Sequence, residues 1–161
     1  MLEQRVPDRV LDRVPRYYYK EHEIKENVGG IPFFAVLDSF RKSTGSILEY
    51  KTSKNPWTPR MVFEHLQLDI YSLMVKLKYG YVDPVVKLVW IETEYAPEYQ
   101  QVGSRTLLGE SDTLRYTGRI EILERKIYEW ERVKIKKDII KVAKEIAEDY
   151  KQYGHKYKTI V

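Results

Sequence analysis

An acid, any residue and a lysine follow one another four times in this chain: Glu23-Ile-Lys25, Glu49-Tyr-Lys51, Glu124-Arg-Lys126 and Asp149-Tyr-Lys151. With 32% of residues charged, most such matches must be accidental. Neighbouring residues select Glu49-Tyr50-Lys51, because it follows the apolar run IPFFAVLDSF, which carries Asp38 near its end. Reading Lys42-Ser43-Thr44-Gly45 as a four-residue hairpin loop pairs Arg41 with Ser46 and sets Asp38 opposite Glu49. Opposed residues share a face, with Cβ atoms about 5 Å apart. Alternation along the strand adds Lys51 to that face. Two carboxylates this close repel each other unless a proton or a cation lies between them. Hard oxygen ligands suit Mg²⁺ or Mn²⁺. Such an ion polarises phosphate oxygens and acidifies water, and an adjacent ammonium stabilises developing negative charge. The bland alternative is a cross-strand ion pair on a solvated face.

The flanking elements must hold these residues in place. Residues 1–15, with Pro7 and Pro15, read as an irregular or short helical lead-in. Tyr17 to Asn27 reads as a strand, and Val28-Gly29-Gly30-Ile31 as a tight turn. That turn sets Glu21 opposite Asp38, which makes Glu21 a candidate third acid and points His22 to the other face. SILEYKTS is the strand of Glu49 and Lys51. Thr58 and Pro59 then begin a helix expected to run to Tyr79, stopped by Gly80. Its expected core stripe is Val62, Leu66, Ile70, Leu73 and Leu77. His65 reads as a surface or capping residue, and Trp57 as packing beneath the sheet. After the Asp83-Pro84 turn, Val85 to Glu94 reads as a strand with Trp90 in the core. Tyr95 to Asp112 reads as a long polar loop, whose Tyr95, Tyr99, Gln100 and Arg105 are candidates for ligand contact. Arg115 to Glu131 reads as a further strand. A helix is expected from Val133 to Tyr153, with Ile135, Ile139, Val142, Ile146 and Tyr150 facing the core. Lys134, Lys137, Lys141 and Lys144 lie on its outer, solvated side. The order implies a single α/β domain over residues 1–161, with a central mixed sheet flanked by helices.

Composition narrows the classes. The chain has 161 residues, 43% of them hydrophobic, enough for one core. It has no cysteine, which excludes disulfides, thiolate zinc sites and iron–sulfur clusters. No apolar run reaches the ~18 residues a membrane span needs, and the N-terminus lacks a signal-like apolar stretch. The chain therefore reads as soluble and cytoplasmic. A net charge of +4 is compatible with a polyanionic partner.

Three stretches resemble the PD-(D/E)XK nuclease superfamily, specifically its RecB-type branch. AVLDSF matches the first aspartate motif, with Val36 where glycine is common. ILEYKTS matches the second, acid-Tyr-Lys-Thr, motif. Gln67-Leu-Asp-Ile-Tyr71 matches the branch's Gln-x-x-x-Tyr signature. The likeness covers about Glu21 to Tyr79. It implies a restriction-endonuclease-like core and a Mg²⁺- or Mn²⁺-dependent DNA nuclease. Asp38, Glu49 and the Tyr50 backbone carbonyl would bind metal, Lys51 would be catalytic, and Gln67 and Tyr71 would position DNA. The implied activity is that of an exonuclease or a single-strand or flap endonuclease. Holliday-junction resolvase or restriction-type activity, or an inactive nucleic-acid-binding module, are the alternatives. So small a nuclease would need self-association or a replication or recombination partner to be processive. Relatives in this branch include phage and viral enzymes acting in a host cell. No histidine precedes the first strand, unlike many RecB-type members, which leaves one metal or two open.

Overall fold

A computed structural model describes the backbone of residues 19–102 and 105–157, and the side chains of 21–98, 109 and 113–154. The lead-in 1–15 and the start of the first expected strand lie outside the described residues. Strands β1 (Tyr19–Val28), β2 (Ile31–Arg41) and β3 (Ser46–Ser53) come first. Two helices follow, α1 (Pro59–Phe63) and α2 (Leu66–Tyr79), and then β4 (Val85–Val102), β5 (Arg105–Lys126) and α3 (Glu129–Tyr157). The strands form one sheet in the order β1-β2-β3-β4-β5. Only β3 and β4 are parallel neighbours, so the sheet is mixed. Parallel neighbours need a crossover, which α1 and α2 supply. The architecture is α/β, as the sequence implies. Among the described residues no helix is long and apolar enough to cross a membrane.

The main core lies between one sheet face and α2. Ile24, Leu37, Phe40, Ile47, Leu88 and Trp90 meet Leu68, Tyr71, Met74 and Val75 there. Leu48, Val89 and Ile91 form a smaller cluster on the other face, with Tyr50, Tyr116 and Ile120. A buried charge network fixes α2. Arg125 of β5 donates to Asp69 at 2.7 Å, to Glu131 at 2.8 Å and to the Val62 carbonyl at 3.1 Å. Breaking one partner of such a network leaves an uncompensated buried charge, which costs about 3–5 kcal/mol. Asp69 is two residues from Gln67, so this anchor also sets the helix that faces the candidate site.

Several sequence expectations need correction. The helix from residue 58 is two helices: Thr58 caps α1, accepting from the Met61 N–H at 3.2 Å, and the chain breaks at Glu64–His65. The break turns α2, so Leu66 and Leu77 of the expected stripe are exposed and Leu68, Met74 and Val75 are buried instead. Residues Tyr95 to Asp112 are not a loop. They lie largely within a long β4–β5 ribbon, with Pro97 absorbed where the register shifts after Tyr95. The last strand ends at Lys126, and the helix begins at Glu129. On α3 the apolar stripe reaches the core only through Ile135 and Ile139. Val142, Ile146 and Tyr150 are exposed because the helix runs on past the sheet.

The β1–β2 turn is as expected: Val28 pairs with Ile31 across Gly29 and Gly30, whose φ values of 63° and 94° suit a two-residue hairpin turn. On that register Glu21 falls opposite Asp38, between the pairs Lys20↔Ser39 and His22↔Leu37. Leu37 and Phe40 are both core residues, so side-chain alternation must change phase between them. Glu21 answers that phase change from the partner strand with φ 39°, a left-handed value that L-residues adopt at a cost of roughly 1–2 kcal/mol. Glu21→Gly should therefore raise the melting temperature, as read by thermal denaturation, whereas Glu21→Val should lower it. Equal effects of the two would show that no backbone strain resides there.

Candidate functional site

β2 and β3 pair as the four-residue loop dictates, Arg41↔Ser46, Phe40↔Ile47 and Ser39↔Leu48, and then part. Asp38 and Glu49 are next in line, beyond the ladder. A side chain takes the place of the next backbone acceptor: Asp38 Oδ2 receives the Tyr50 N–H at 2.9 Å. On its other edge β3 is paired with β4 throughout, from Ile47↔Val86 to Ser53↔Glu92. The opening lies where two expected acids meet.

Glu49 is 1% exposed. Its Oε1 accepts from Lys51 Nζ at 2.5 Å, and its Oε2 is buried without a partner. Burial pushes the Glu49 carboxyl up to about 7; the Lys51 hydrogen bond opposes the rise and the Asp38 charge adds to it. The structure thus brings Asp38, Glu49 and Lys51 together. Of Tyr50, it is the N–H whose bond is defined.

A chain of hydrogen bonds continues from Lys51. Its Nζ donates to Gln67 Oε1 at 3.0 Å, Gln67 Nε2 donates to Tyr71 Oη at 2.6 Å, and Tyr71 Oη donates to the Val36 carbonyl at 2.6 Å. Each link fixes the next: the Val36 carbonyl orients the hydroxyl, the hydroxyl orients the amide, and the amide aims its oxygen at the ammonium. Burial pushes the Tyr71 hydroxyl up to about 12, with the Glu49 charge contributing, so it stays a donor. Gln67 and Tyr71 share a helix face as expected, but that face looks inward. Tyr71 is 7% exposed, and its hydroxyl is committed to β2 rather than open to a ligand.

Other residues fall differently. Glu21 stands in register with Asp38 but is exposed. Among the described residues no group of three or more His, Cys, Asp or Glu side chains is placed to hold a metal. His22 faces α2 rather than away from it. Its Nε2 is 2.5 Å from Tyr79 Oη and its ring stacks on Phe40. His65 is the N-cap residue of α2 but makes no side-chain cap bond. Its ring meets Trp57 edge-on at 5.1 Å between centroids, and its Nε2 is buried without a partner. Burial, and then the Lys51 charge, hold His65 below its usual range. The spacing did not signal this proximity, which the break between α1 and α2 creates. Trp90 is fully buried, as expected, and donates its indole N–H to Ser53 Oγ at 2.9 Å. Side chains of Tyr99, Gln100 and Arg105 lie outside the described residues.

The donor set fits one hard cation. Two carboxylates adjoin, and one of them keeps a buried oxygen with no donor. Asp38 and Glu49 would hold the ion, with backbone carbonyl and water completing an oxygen shell.

No family model and no curated protein matches the chain. A solved structure titled "Crystal structure of SSO0001" aligns with a TM-score of 0.45 at 19% identity, over 84% of this chain and 55% of that one. The chain thus spans about half the length of that neighbour.

Raising a folded-state pKa has a definite sign. Glu49 binds its proton more tightly folded, at about 7, than at the ordinary 4.5. Its contribution to stability is present below the unfolded value and is lost as pH rises through the folded one. In EDTA, the melting-temperature advantage of Glu49→Gln over wild type should grow from about pH 5 to about pH 8. A difference that stays constant with pH would contradict this assignment. Comparing the two proteins removes the contributions of His22 and His65, which run the other way.

Proposed function

We propose that this chain is a metal-dependent nuclease with a restriction-endonuclease-like core, of the RecB-type branch of PD-(D/E)XK enzymes, acting on DNA. The observation that carries the reading is the fully buried Glu49, one oxygen against Lys51, the other without a donor, and the Asp38 charge close by. A buried carboxylate without a full set of donors is costly unless something positive completes it. Lys51 completes half. A divalent cation held by Asp38 and Glu49 would supply the rest, together with Lewis-acid polarisation of a phosphate and of water.

The chain's own groups have clear parts in such a reaction. Water adds to phosphorus, the bond from phosphorus to the leaving oxygen breaks, and a proton ends on that oxygen. Negative charge grows on the phosphoryl oxygens on the way. Lys51, freed from Glu49, is an ammonium that Gln67 would aim at the place where that charge develops. Tyr71 and Val36 keep Gln67 from rotating. Asp38 holds β3 to β2 through the Tyr50 N–H, which keeps both carboxylates at one spot. DNA is the expected substrate, with Mg²⁺ or Mn²⁺ as the cofactor.

Labelled single-stranded, flapped, linear and junction DNA, incubated with Mg²⁺, Mn²⁺ or EDTA, tests the proposal. Cleavage should require metal. Asp38→Ala, Glu49→Ala and Lys51→Ala should each lower it by a factor on the order of 10² or more. Gln67→Ala should cost less, because Lys51 stays but loses its aim. Binding without cleavage under any metal would support an inactive binding module instead, and preferential cutting of four-way junctions a resolvase.

A further inference from the structure

The face that carries Glu49 and Lys51 continues across the sheet. Lys51 is registered with Trp90 on β4, and Trp90 with Glu121 on β5. The bond from the Trp90 indole to Ser53, two residues past Lys51, keeps that indole on the same face. Over the indole lies Arg119, its Cζ 5.3 Å from the ring centroid. The β4–β5 ladder is irregular at this point. Between the pairs Ile91↔Ile120 and Thr93↔Tyr116, three residues of β5 face Glu92 alone. Gly118, the middle one, has φ 91°, and a Cβ added there would meet nothing within 4 Å. Space does not call for glycine at this position; the backbone conformation does. Bulges of this kind re-aim a side chain, often beside an active site. Here the re-aimed side chain is a guanidinium over the Trp90 ring, one strand from the lysine of β3.

We infer that Arg119 binds a phosphate of the same nucleic-acid strand whose scissile phosphate lies at Glu49 and Lys51, so that the strand crosses the sheet from β3 toward β5. The inference rests on the nuclease reading and adds a direction and a contact to it. Two strand spacings, about 10 Å, separate β3 from β5, and the long Arg119 side chain reaches back over Trp90 to shorten that gap. This is the scale of a step between phosphates along one strand. Trp90 is fully buried beneath, so its ring is a seat for the guanidinium rather than a platform for a base. Arg119 itself is 55% exposed, held by Glu121 and more loosely by Glu92 at 3.8 Å. Exposed ion pairs of this kind contribute little, so a phosphate can exchange with them. A guanidinium offers it two parallel N–H groups.

The test is oligonucleotide binding by fluorescence anisotropy in EDTA across a salt series, using a labelled single strand. Arg119→Gln should weaken binding several-fold at low salt and reduce the slope of log affinity against log salt by about 0.7, one phosphate contact. Arg119→Lys should keep most of that slope. Arg60→Gln removes a cation on α1 that is 85% exposed, and should leave the slope unchanged. A wild-type slope in Arg119→Gln, or an equal loss in Arg60→Gln, would overturn the inference while leaving metal-dependent cleavage as it stands. Wild-type protein that binds no oligonucleotide either in EDTA or with Ca²⁺ present would overturn it together with the nuclease reading.

Discussion

The separation of β2 from β3 after three paired residues is the constraint on which the rest of this molecule depends. Sheets normally satisfy every buried N–H along a ladder. Here the Tyr50 N–H is satisfied by the Asp38 carboxylate instead. That substitution opens the sheet, and it places a second acid beside Glu49. Glu49 then sits buried between one cation, Lys51, and one anion, Asp38. The arrangement is electrostatically incomplete, and its incompleteness is local and directional, at Glu49 Oε2. Under the proposed reading, a small cation would complete it.

Much of the surrounding fold restrains that imbalance. Arg125 ties α1, α2 and α3 to β5 through buried bonds, and so sets where Gln67 stands over the sheet. Tyr71 serves two purposes at once: its ring fills the core and its hydroxyl locks Gln67 to β2. His22 and Tyr79 join β1 to the far end of the same helix. Burial, and then the Lys42 charge, hold His22 below its usual range, which keeps this contact neutral near pH 7. The Lys51 ammonium is thereby held through a series of short bonds, each ending on backbone or core. In the proposed reaction, preorganisation of this kind would let the ammonium meet a developing charge once Glu49 releases it.

The sequence made the centre of this arrangement legible for a physical reason. Hairpin loop length fixes register, and strand alternation fixes face, so Asp38, Glu49 and Lys51 could be brought together by counting. Gln67 and Tyr71 could be placed on one helix face by the same means, but not shown to look inward, because the break at Glu64–His65 turns α2. That break has no strong signal: neither proline nor glycine stands there. Glu21 shows the opposite failure. Its register was legible, yet its left-handed backbone, and hence its exposure, was not. The β4–β5 ribbon was hidden by Pro97, Gly103 and Gly109, which mark a loop by composition, whereas Pro97 lies at a register shift within the ladder. Arg119 owes its position to a bulge around Gly118, a feature that a single strand's sequence cannot distinguish from an ordinary flexible point. The apolar residues of α3 are buried only at its start, since periodicity says which residues share a face but not how far the partner surface extends.

Asp38 and the donor-free oxygen of Glu49 are proposed to form a cation site. Calorimetric titration of Mn²⁺ into the metal-free protein near neutral pH measures this without reference to catalysis. Saturable binding at one site is expected, lost in Glu49→Gln and strongly weakened in Asp38→Asn, with Glu21→Gln unaffected. Heats that do not saturate in the wild type, or a binding curve that Glu49→Gln leaves unchanged, would contradict it.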